Sequence, residues 1–207
     1  MIDDAKQDQG SAREQDQLRK VVVQEFVSID GFAAGPNNSV DFIPASTQGD
    51  LKFGRAQLAL MDTFDVMLLG RVTYEMFSGF WPKVTEGPEK EFADKFNGVS
   101  KIVFSKTLKR APWGKWGDGR IVAGGAVEEV AKLKQMPGKE MLISGSISIA
   151  QSLMEKGMVD EYRLVLCPVV LGSGRPLFGN GLSFPALKLV NATTLDRGAV
   201  SLVYKQS

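Results

Sequence analysis

The stretch VMLLGRVT, residues 66–73, joins a short apolar run to a glycine and then to the start of a helical pattern. A similar change from an apolar run to small polar residues occurs in IVFSKT, residues 102–107, and in LISGSI, residues 142–147, and two of the three turns precede predicted helices. Each apolar run has the length of a buried strand. Because the carboxyl ends of parallel strands lie along one edge of a sheet, the three turns are predicted to line a single crevice.

The residues in these turns are of the types that bind phosphate groups. Glycine lets the backbone approach a ligand, serine and threonine hydroxyls donate hydrogen bonds, and Arg71 and Lys106 add positive charge. The first N–H groups of a helix have no partner inside the helix and attract anions. Each turn alone is also what helix capping requires, but three aligned turns favour a cradle for a pyrophosphate.

Outward from these turns, strand and helix patterns alternate along the chain. The first predicted strand is Val21–Val27, and the last, Val200–Tyr204, alternates as an edge strand does. Helices are predicted from Asp50, near Thr73, and over Val127–Lys134 and Ile147–Lys156, and a long strand over Tyr162–Leu171. This order predicts an α/β fold with a largely parallel sheet and an antiparallel C-terminal edge. Residues 1–19 are predicted to form a disordered polar tail and residues 20–207 a single domain.

The composition excludes several classes of active site and partner. The chain has no histidine and one cysteine, so catalytic triads and His- or Cys-ligated metal sites are excluded, and no metal is predicted. Chemistry in such a chain favours a borrowed cofactor. The net charge of +1 provides no overall field for nucleic acid or an anionic membrane. A single cysteine, with no spanning apolar run and no secretory signal, predicts a cytoplasmic protein.

A basic segment with interleaved tryptophans has two interpretations. Lys106–Arg120 contains Trp113 and Trp116 among its basic residues, a pattern that also occurs in proteins that bind single-stranded nucleic acid. Because the net charge is close to zero, a solvated loop is the favoured interpretation. Neither a nucleic acid nor a membrane is predicted as a partner.

Several motifs carry a resemblance to known reductases. GRVTYE, residues 70–75, resembles the Gly-Arg-x-Thr turn of the dihydrofolate reductase fold. ISGS at 143–146, Gly157, VDE at 159–161, SIDG at 28–31 and PVVLG at 168–172 resemble the C-terminal reductase domain of bifunctional riboflavin-biosynthesis deaminase-reductases. The chain is most similar to stand-alone bacterial proteins of the dihydrofolate reductase family. The resemblance implies a dihydrofolate reductase-like fold with a sheet of about eight strands flanked by helices.

The resemblance also implies that NADPH binds across the three turns. The turn at Gly70 would match the first phosphate-binding turn, the turn at Ser144 the second, and the turn at Ser105 the one that holds the 2′-phosphate. An added positive charge at that last turn distinguishes NADPH from NADH. The cofactor-binding residues implied in this way are Gly70, Arg71, Val72, Thr73, Ser105, Lys106, Ser144, Gly145, Ser146 and Ile147.

Asp30 is the predicted catalytic and substrate-binding residue. It follows the first strand at the edge where the nicotinamide would lie, and a carboxylate there orients substrate or relays a proton; the alternative is an ordinary Asp-Gly turn. Asp41, Phe77 and Trp81 are predicted to line the substrate pocket, with a plain core role as the alternative for the two rings. Asp50 is a loose counterpart of the dihydrofolate-type substrate carboxylate.

Together these features predict an enzyme, an NADPH-dependent reductase that transfers hydride to a small pterin- or pyrimidine-like heterocycle. One alternative is the riboflavin-pathway 5-amino-6-(5-phosphoribosylamino)uracil reductase, with Arg175 or Lys52 as the phosphate-binding residue. Another is a non-catalytic NADP(H)-binding module. The family resemblance, with weaker support from the apolar stretch Cys167–Leu171, predicts a homodimer.

Overall fold

The fold is built on a mixed sheet with helices on both faces, and the computed structural model describes residues 18–179 and 186–206. Its strands, in chain order, are β1 (Val21–Ser28), β2 (Phe32–Ala34), β3 (Phe64–Gly70), β4 (Ser100–Phe104), β5 (Arg120–Val122), β6 (Glu140–Ser144), β7 (Glu161–Cys167), β8 (Arg175–Pro176), β9 (Leu187–Thr194) and β10 (Val200–Gln206). Its helices are α1 (Phe42–Thr47), α2 (Leu51–Met61), α3 (Arg71–Phe80), α4 (Lys90–Gly98), α5 (Ala126–Lys134) and α6 (Ile147–Glu155).

The main sheet has eight strands in the order β5-β4-β3-β6-β1-β7-β10-β9. The first six strands of this order, which are β5, β4, β3, β6, β1 and β7, are parallel to one another. Strand β10 runs antiparallel to both β7 and β9. The predicted α/β fold, largely parallel with an antiparallel C-terminal edge, is therefore confirmed. Strands β2 and β8 pair in a small separate sheet.

The central strand β1 supplies apolar side chains to both faces of the sheet. Val21 and Val23 pack with α5 and α6, whereas Val22 packs on the opposite face with α2, α3 and α4. Because helices cover a parallel sheet on both sides, its strands are nearly continuous apolar runs rather than alternating ones. The same coverage leaves the ends of the strands as the place where polar groups collect.

Helix α2 begins at the predicted cap, Asp50. Its Oδ1 atom accepts a hydrogen bond from the N–H of Phe53 over 2.9 Å, and its Oδ2 atom accepts one from the N–H of Arg197 over 3.1 Å. A capping carboxylate satisfies an otherwise unpaired helix N–H group. Asp50 is the loose counterpart of the dihydrofolate-type substrate carboxylate, and both of its oxygens therefore accept hydrogen bonds from backbone N–H groups.

Three predicted boundaries are corrected by the structure. Arg19, assigned to the tail, is buried and joins the fold, because its Nε atom donates to the carbonyl of Lys139 over 2.7 Å and its guanidinium pairs with Asp65. Residues 1–17 of the predicted tail lie outside the described residues. Helix α3 begins at Arg71 rather than near Thr73, and β7 ends at Cys167, before Pro168, rather than at Leu171. None of the described helices is long and apolar enough to cross a membrane.

Candidate active site

The parallel strands all end at one edge of the main sheet, which we call the carboxyl edge. Strands β4, β3 and β6 are neighbours in the sheet, so the turns that follow them at Ser105, Gly70 and Ser144 are neighbours as well. Helices α3 and α6 begin in two of these turns. The structure thus brings the three predicted turns to one place.

The turns after β3 and β6 are joined by two hydrogen bonds. The N–H of Gly70 donates to Ser146 Oγ over 3.0 Å, and the N–H of Ser146 donates to Thr73 Oγ1 over 2.9 Å. Thr73 and Ser146 are both buried, so these bonds hold the starts of α3 and α6 side by side. Two helix starts with unpaired N–H groups at one place favour the binding of an anion.

The turn after β6 requires a close backbone approach. Gly145 has a φ of +64°, and a Cβ atom built on it would lie 2.8 Å from Thr73 Cγ2. Ser146, which follows it, also has a left-handed backbone conformation. Val72 and Ile147 lie in the first turns of α3 and α6, where the Ile147 side chain is buried and the Val72 side chain is exposed.

The sheet opens between β1 and β6 next to this turn. β1 pairs with β6 only from Val21 to Gln24, and Gln24 lies opposite Ser144, the last residue of β6. On its other side β1 remains paired with β7 as far as Ser28. Backbone groups of residues 25–28 that point toward β6 therefore lie beyond the last rung of the ladder. We call this gap the β1–β6 opening; such openings at the carboxyl edge are where ligands bind in α/β folds.

The positive charges predicted for this edge differ in their partners. Arg71 is exposed and its Nη1 atom contacts both carboxylate oxygens of Glu75, at 3.0 and 2.8 Å. Lys106 is exposed and has no ion-pair or hydrogen-bond partner in the described part of the chain. Ser105 Oγ accepts from the N–H groups of Thr107 and Leu108, so it shapes the turn that presents Lys106.

Asp30 joins the end of β1 to the loop that follows β7. Its Oδ1 and Oδ2 atoms accept from the N–H groups of Leu171, at 3.1 Å, and Gly172, at 2.7 Å. Hydrogen bonds from the Ser28 side chain and from these backbone groups lower the pKa of Asp30. The carboxylate is exposed and ionised at neutral pH, so it can orient groups near it but is a poor proton donor.

A family model described as the RibD C-terminal domain matches residues 19–201. The chain belongs to the RibD C-terminal domain family. This membership confirms the predicted resemblance to the reductase domain of the riboflavin-biosynthesis enzymes. The chain is 33% identical to the uncharacterized protein YyaP of Bacillus subtilis (strain 168), over 90% of this chain and 94% of that protein. It is 30% identical to the uncharacterized protein YwjB of the same organism, over 77% of this chain and 83% of that protein.

Solved structures show the same fold as this RibD C-terminal domain. A putative riboflavin biosynthesis protein from Shewanella sp. PV-4 matches with a TM-score of 0.70 and 24% identity, over 91% of this chain and 99% of that one. A pyrimidine reductase-like protein from Corynebacterium diphtheriae matches with a TM-score of 0.60 and 16% identity, over 90% and 91%. A Thermotoga maritima diaminohydroxyphosphoribosylaminopyrimidine deaminase/5-amino-6-(5-phosphoribosylamino)uracil reductase matches with a TM-score of 0.63 and 13% identity, over 93% of this chain and 58% of that one.

In this RibD C-terminal domain the rings of Phe77 and Trp81 are half-buried and pack against the core. Trp81 packs at 5.1 Å between ring centroids against both Phe92 and Phe96 of α4, and Phe77 packs at 5.4 Å against Phe96. This packing favours the core alternative for the two rings, and their place in a substrate pocket stays a prediction. Asp41 is exposed beside the start of α1, where it accepts from the Ser39 hydroxyl over 2.8 Å.

Sequence reasoning missed the turn after β5. Gly124 and Gly125 follow this strand at the carboxyl edge, and α5 begins directly after them. A Cβ atom on Gly125 would lie 2.1 Å from Glu128 Oε2, so this carboxylate already covers the helix start. The signal was present in Ile121-Val122-Ala123-Gly124-Gly125, an apolar pair followed by glycines, but the basic residues before it favoured a loop.

A cavity of about 660 Å³ lies at the opposite edge of the sheet, where Lys101 begins the buried part of β4. The Lys101 ammonium donates to the carbonyl oxygens of Phe96, Asn97 and Val99, and lies 4.5 Å from the centroid of the Trp113 ring. Burial lowers the pKa of Lys101 to about 7. Because its N–H groups are bonded to the end of α4, Lys101 caps that helix. Trp113 is buried, so it is not a surface for stacking bases.

Proposed function

We propose that this RibD C-terminal domain is an NADPH-dependent reductase that transfers hydride to a small pterin- or pyrimidine-like heterocycle. The observation that carries the proposal is the pair of helix starts joined through Gly70, Thr73 and Ser146 beside the β1–β6 opening. Phosphates favour helix starts, and a flat ring with polar edges suits an opening lined by unpaired backbone groups. Family membership supports a reductase role and a nicotinamide cofactor.

The residues at the carboxyl edge suit NADPH, which when bound supplies the hydride. The starts of α3 and α6 would hold the pyrophosphate through their N–H groups, with Gly145 allowing close approach. Arg71 would add charge on one side of this cradle. Lys106, which has no partner in the described residues, would bind the 2′-phosphate.

On the substrate side, the chain's own residues would bind and orient rather than transfer protons. Backbone groups of residues 25–28 at the β1–β6 opening would hold a carboxamide-bearing ring. Asp30 fixes the loop after β7 next to that ring's position. Because the pKa of Asp30 is lowered, we assign the proton that follows the hydride to water.

Calorimetry with NADPH and NADH tests the proposed function. We expect NADPH to bind in the low micromolar range or tighter, and NADH at least about tenfold more weakly, since the Lys106 contact to the 2′-phosphate is charge-assisted. Lys106→Ala should remove this preference. Lys109→Ala is the matched control, because Lys109 is also exposed and has no ion-pair or hydrogen-bond partner in the described part of the chain.

Two results would count against this assignment in different ways. Equal affinity of the unaltered protein for NADPH and NADH would refute the role of Lys106. It would not refute the proposed binding of the pyrophosphate at the starts of α3 and α6. Failure of both nucleotides to bind would refute the proposed function as a whole.

Arg71→Ala is expected to weaken NADPH binding severalfold without unfolding the protein. Arg71 is exposed and its only described partner is Glu75, and an exposed pair of this kind contributes about 1 kcal/mol or less to stability. Arg110→Ala is the control, because it also breaks an exposed ion pair, with Asp118. A collapse of the melting temperature with normal nucleotide binding by the folded fraction would make Arg71 a structural residue.

A second candidate is the riboflavin-pathway 5-amino-6-(5-phosphoribosylamino)uracil reductase, which needs a site for the substrate phosphate. Arg175 favours it, since this exposed guanidinium has no partner in the described residues and sits on β8, beside β2. Lys52, the other predicted phosphate-binding residue, already pairs with Asp196 at 2.7 Å. Turnover of that substrate, with a KM that rises in Arg175→Ala, would establish this candidate over the broader one.

The non-catalytic alternative predicts NADPH binding without oxidation. Following NADPH absorbance with a panel of pterins and pyrimidines separates the two, since a reductase oxidises NADPH with at least one of them. We propose that the protein acts on a small molecule in the cytoplasm, which is where a reductase with a single buried cysteine and bound NADPH would function.

We also propose a homodimer, formed through the β9–β10 hairpin. Of the predicted stretch Cys167–Leu171, Cys167 is buried and Val170 is the exposed apolar side chain. The outer strand β9 is more open, with Leu189 and Val190 48% and 51% exposed. A row of unpaired backbone groups beside exposed apolar side chains is a surface that proteins cover.

Light scattering at micromolar concentration is expected to give the mass of a dimer. Val190→Glu should give a monomer, because a charge in the interface would lose its solvation. Val170→Glu should leave the dimer intact. A monomer from Val170→Glu but not from Val190→Glu would instead locate the interface at the stretch Cys167–Leu171. A monomer mass for the unaltered protein would refute the dimer.

A further inference from the structure

A pair of glutamine side chains lies next to the turn that follows β6. Gln24 of β1 is buried, and its Nε2 atom donates to Gln57 Oε1 of α2 over 2.7 Å. Gln24 is opposite Ser144 in the sheet. Because side chains of paired positions lie on the same face, the amide pair and the Ser144 hydroxyl form one polar patch at the level of the carboxyl edge.

The amide pair keeps hydrogen-bonding capacity after its mutual bond. Gln24 retains its carbonyl oxygen, and Gln57 retains both N–H groups of its Nε2 atom. Among the described residues, the buried side-chain atoms without a hydrogen-bond partner are Glu25 Oε1 and Glu140 Oε2, so neither free group of the amide pair is sealed from solvent. The pair therefore offers a hydrogen-bond acceptor beside a donor to a molecule that reaches it.

An exposed apolar stripe runs along α3, the helix whose start contacts the turn after β6. Val72, Met76 and Phe80 are spaced by four residues, so they form one stripe along the helix, and all three are exposed. Thr73, which adjoins the stripe around the helix, contacts Ser146 of the β6 turn. Tyr74 lies on the other side of the helix and donates to the carbonyl of Pro112. The stripe is therefore on the side of α3 toward the turn after β6.

We propose that Gln24 and Gln57 form the specificity pair of the reductase, reading the –NH–CO– edge of a planar heterocycle whose ring lies against the α3 stripe. This inference rests on the proposed function. An acceptor beside a donor complements a lactam edge, which presents a donor beside an acceptor. A protonated aminopyrimidine would instead need a free carboxylate, and both oxygens of Asp50 and of Asp30 are bonded to backbone N–H groups.

The test uses two small probes, 5,6-diaminouracil, which has lactam edges, and 4,5-diaminopyrimidine, which has none. Titrations of each into the nucleotide-free and the NADP⁺-bound protein, followed by NMR chemical shifts, measure their affinities. We expect diaminouracil to bind about tenfold more tightly or better, as two added hydrogen bonds would give. Gln57→Leu and Gln24→Leu should abolish this preference and leave the NADPH affinity unchanged.

Gln57→Glu is the most informative variant. Gln57 is half-buried on α2, and a carboxylate at this position can still accept the hydrogen bond from Gln24 Nε2. It replaces donors with acceptors, so the preference should reverse toward the diaminopyrimidine. The matched control is Gln135→Leu, an exposed glutamine at the end of α5, which should behave like the unaltered protein. The Gln57 variants keep the test valid if Gln24→Leu does not fold.

The outcomes separate the specificity pair from the proposed function. Normal NADPH binding with no preference between the probes, or with a preference that survives both Gln57 variants, overturns the specificity pair alone. Failure of NADPH to bind overturns the proposed function. In that case a glutamine-dependent preference in the nucleotide-free protein would still support the pair as a binding site.

Discussion

Replacing Asp30 with asparagine is expected to lower turnover by about a hundredfold and leave NADPH affinity nearly unchanged. The Asp30 carboxylate accepts N–H groups from Leu171 and Gly172, and an asparagine can accept only one of them while its own N–H group opposes the other. The loop after β7 should then move away from the position that orients substrate. The phosphate-binding turns lie on other strands, so they should keep their geometry.

Steady-state kinetics with an identified substrate, together with calorimetry of NADPH, measures the two effects separately. Asp62→Asn is the control, since Asp62 is an exposed carboxylate that pairs with Lys95 away from the carboxyl edge. A positioning role also predicts that the pH profile of turnover keeps its shape in Asp30→Asn. Turnover at the parent rate would leave Asp30 as an ordinary turn residue.

Replacing Glu25 with leucine is expected to stabilise the protein by about 1–3 kcal/mol near pH 8, the cost of a buried polar group without a partner. Glu25 is buried on β1 opposite Leu164, and its Oε1 atom has no hydrogen-bond partner. Burial raises the pKa of Glu25 well above its ordinary value of 4.5. Leucine has a similar volume and no polar atoms to bury.

The sign of the pH dependence follows from this raised pKa. Below pH 4.5 the carboxyl is protonated in both the folded and the unfolded chain. As the pH rises toward the folded-state pKa, the unfolded chain ionises first, so the parent protein loses stability. Denaturant unfolding at several pH values should show the advantage of Glu25→Leu growing with pH. Glu25→Gln should lose the same pH dependence, and a constant difference between parent and variants would show that Glu25 stays ionised when folded.

The three turns at the carboxyl edge could be predicted from sequence because each follows an apolar run that is long enough for a strand. The link between two of them could not, because Thr73 and Ser146 are 73 residues apart and nothing local encodes their hydrogen bond. The same holds for Asp30, whose partner Leu171 lies 141 residues away. The sequence shows that Asp30 follows the first strand, but only the fold shows that both of its carboxylate oxygens accept hydrogen bonds.

The packing of Phe77 and Trp81 could not be predicted from sequence for a different reason. Their partners belong to α4, which was not predicted because its segment KEFADKFNG has few apolar residues among its charges. A helix this short depends on tertiary packing, here of Phe92 and Phe96 against the two rings. Gln24 was missed for a similar reason, since a lone polar residue in an apolar strand acquires meaning only from the helix that faces it.

A crystal structure of the protein with NADPH tests the central claim most directly. We predict the pyrophosphate between the starts of α3 and α6, the 2′-phosphate at Lys106, and the nicotinamide in the β1–β6 opening beside the loop held by Asp30. Nucleotide bound in the cavity beside Lys101 and Trp113, or no bound nucleotide at saturating concentration, would contradict the account.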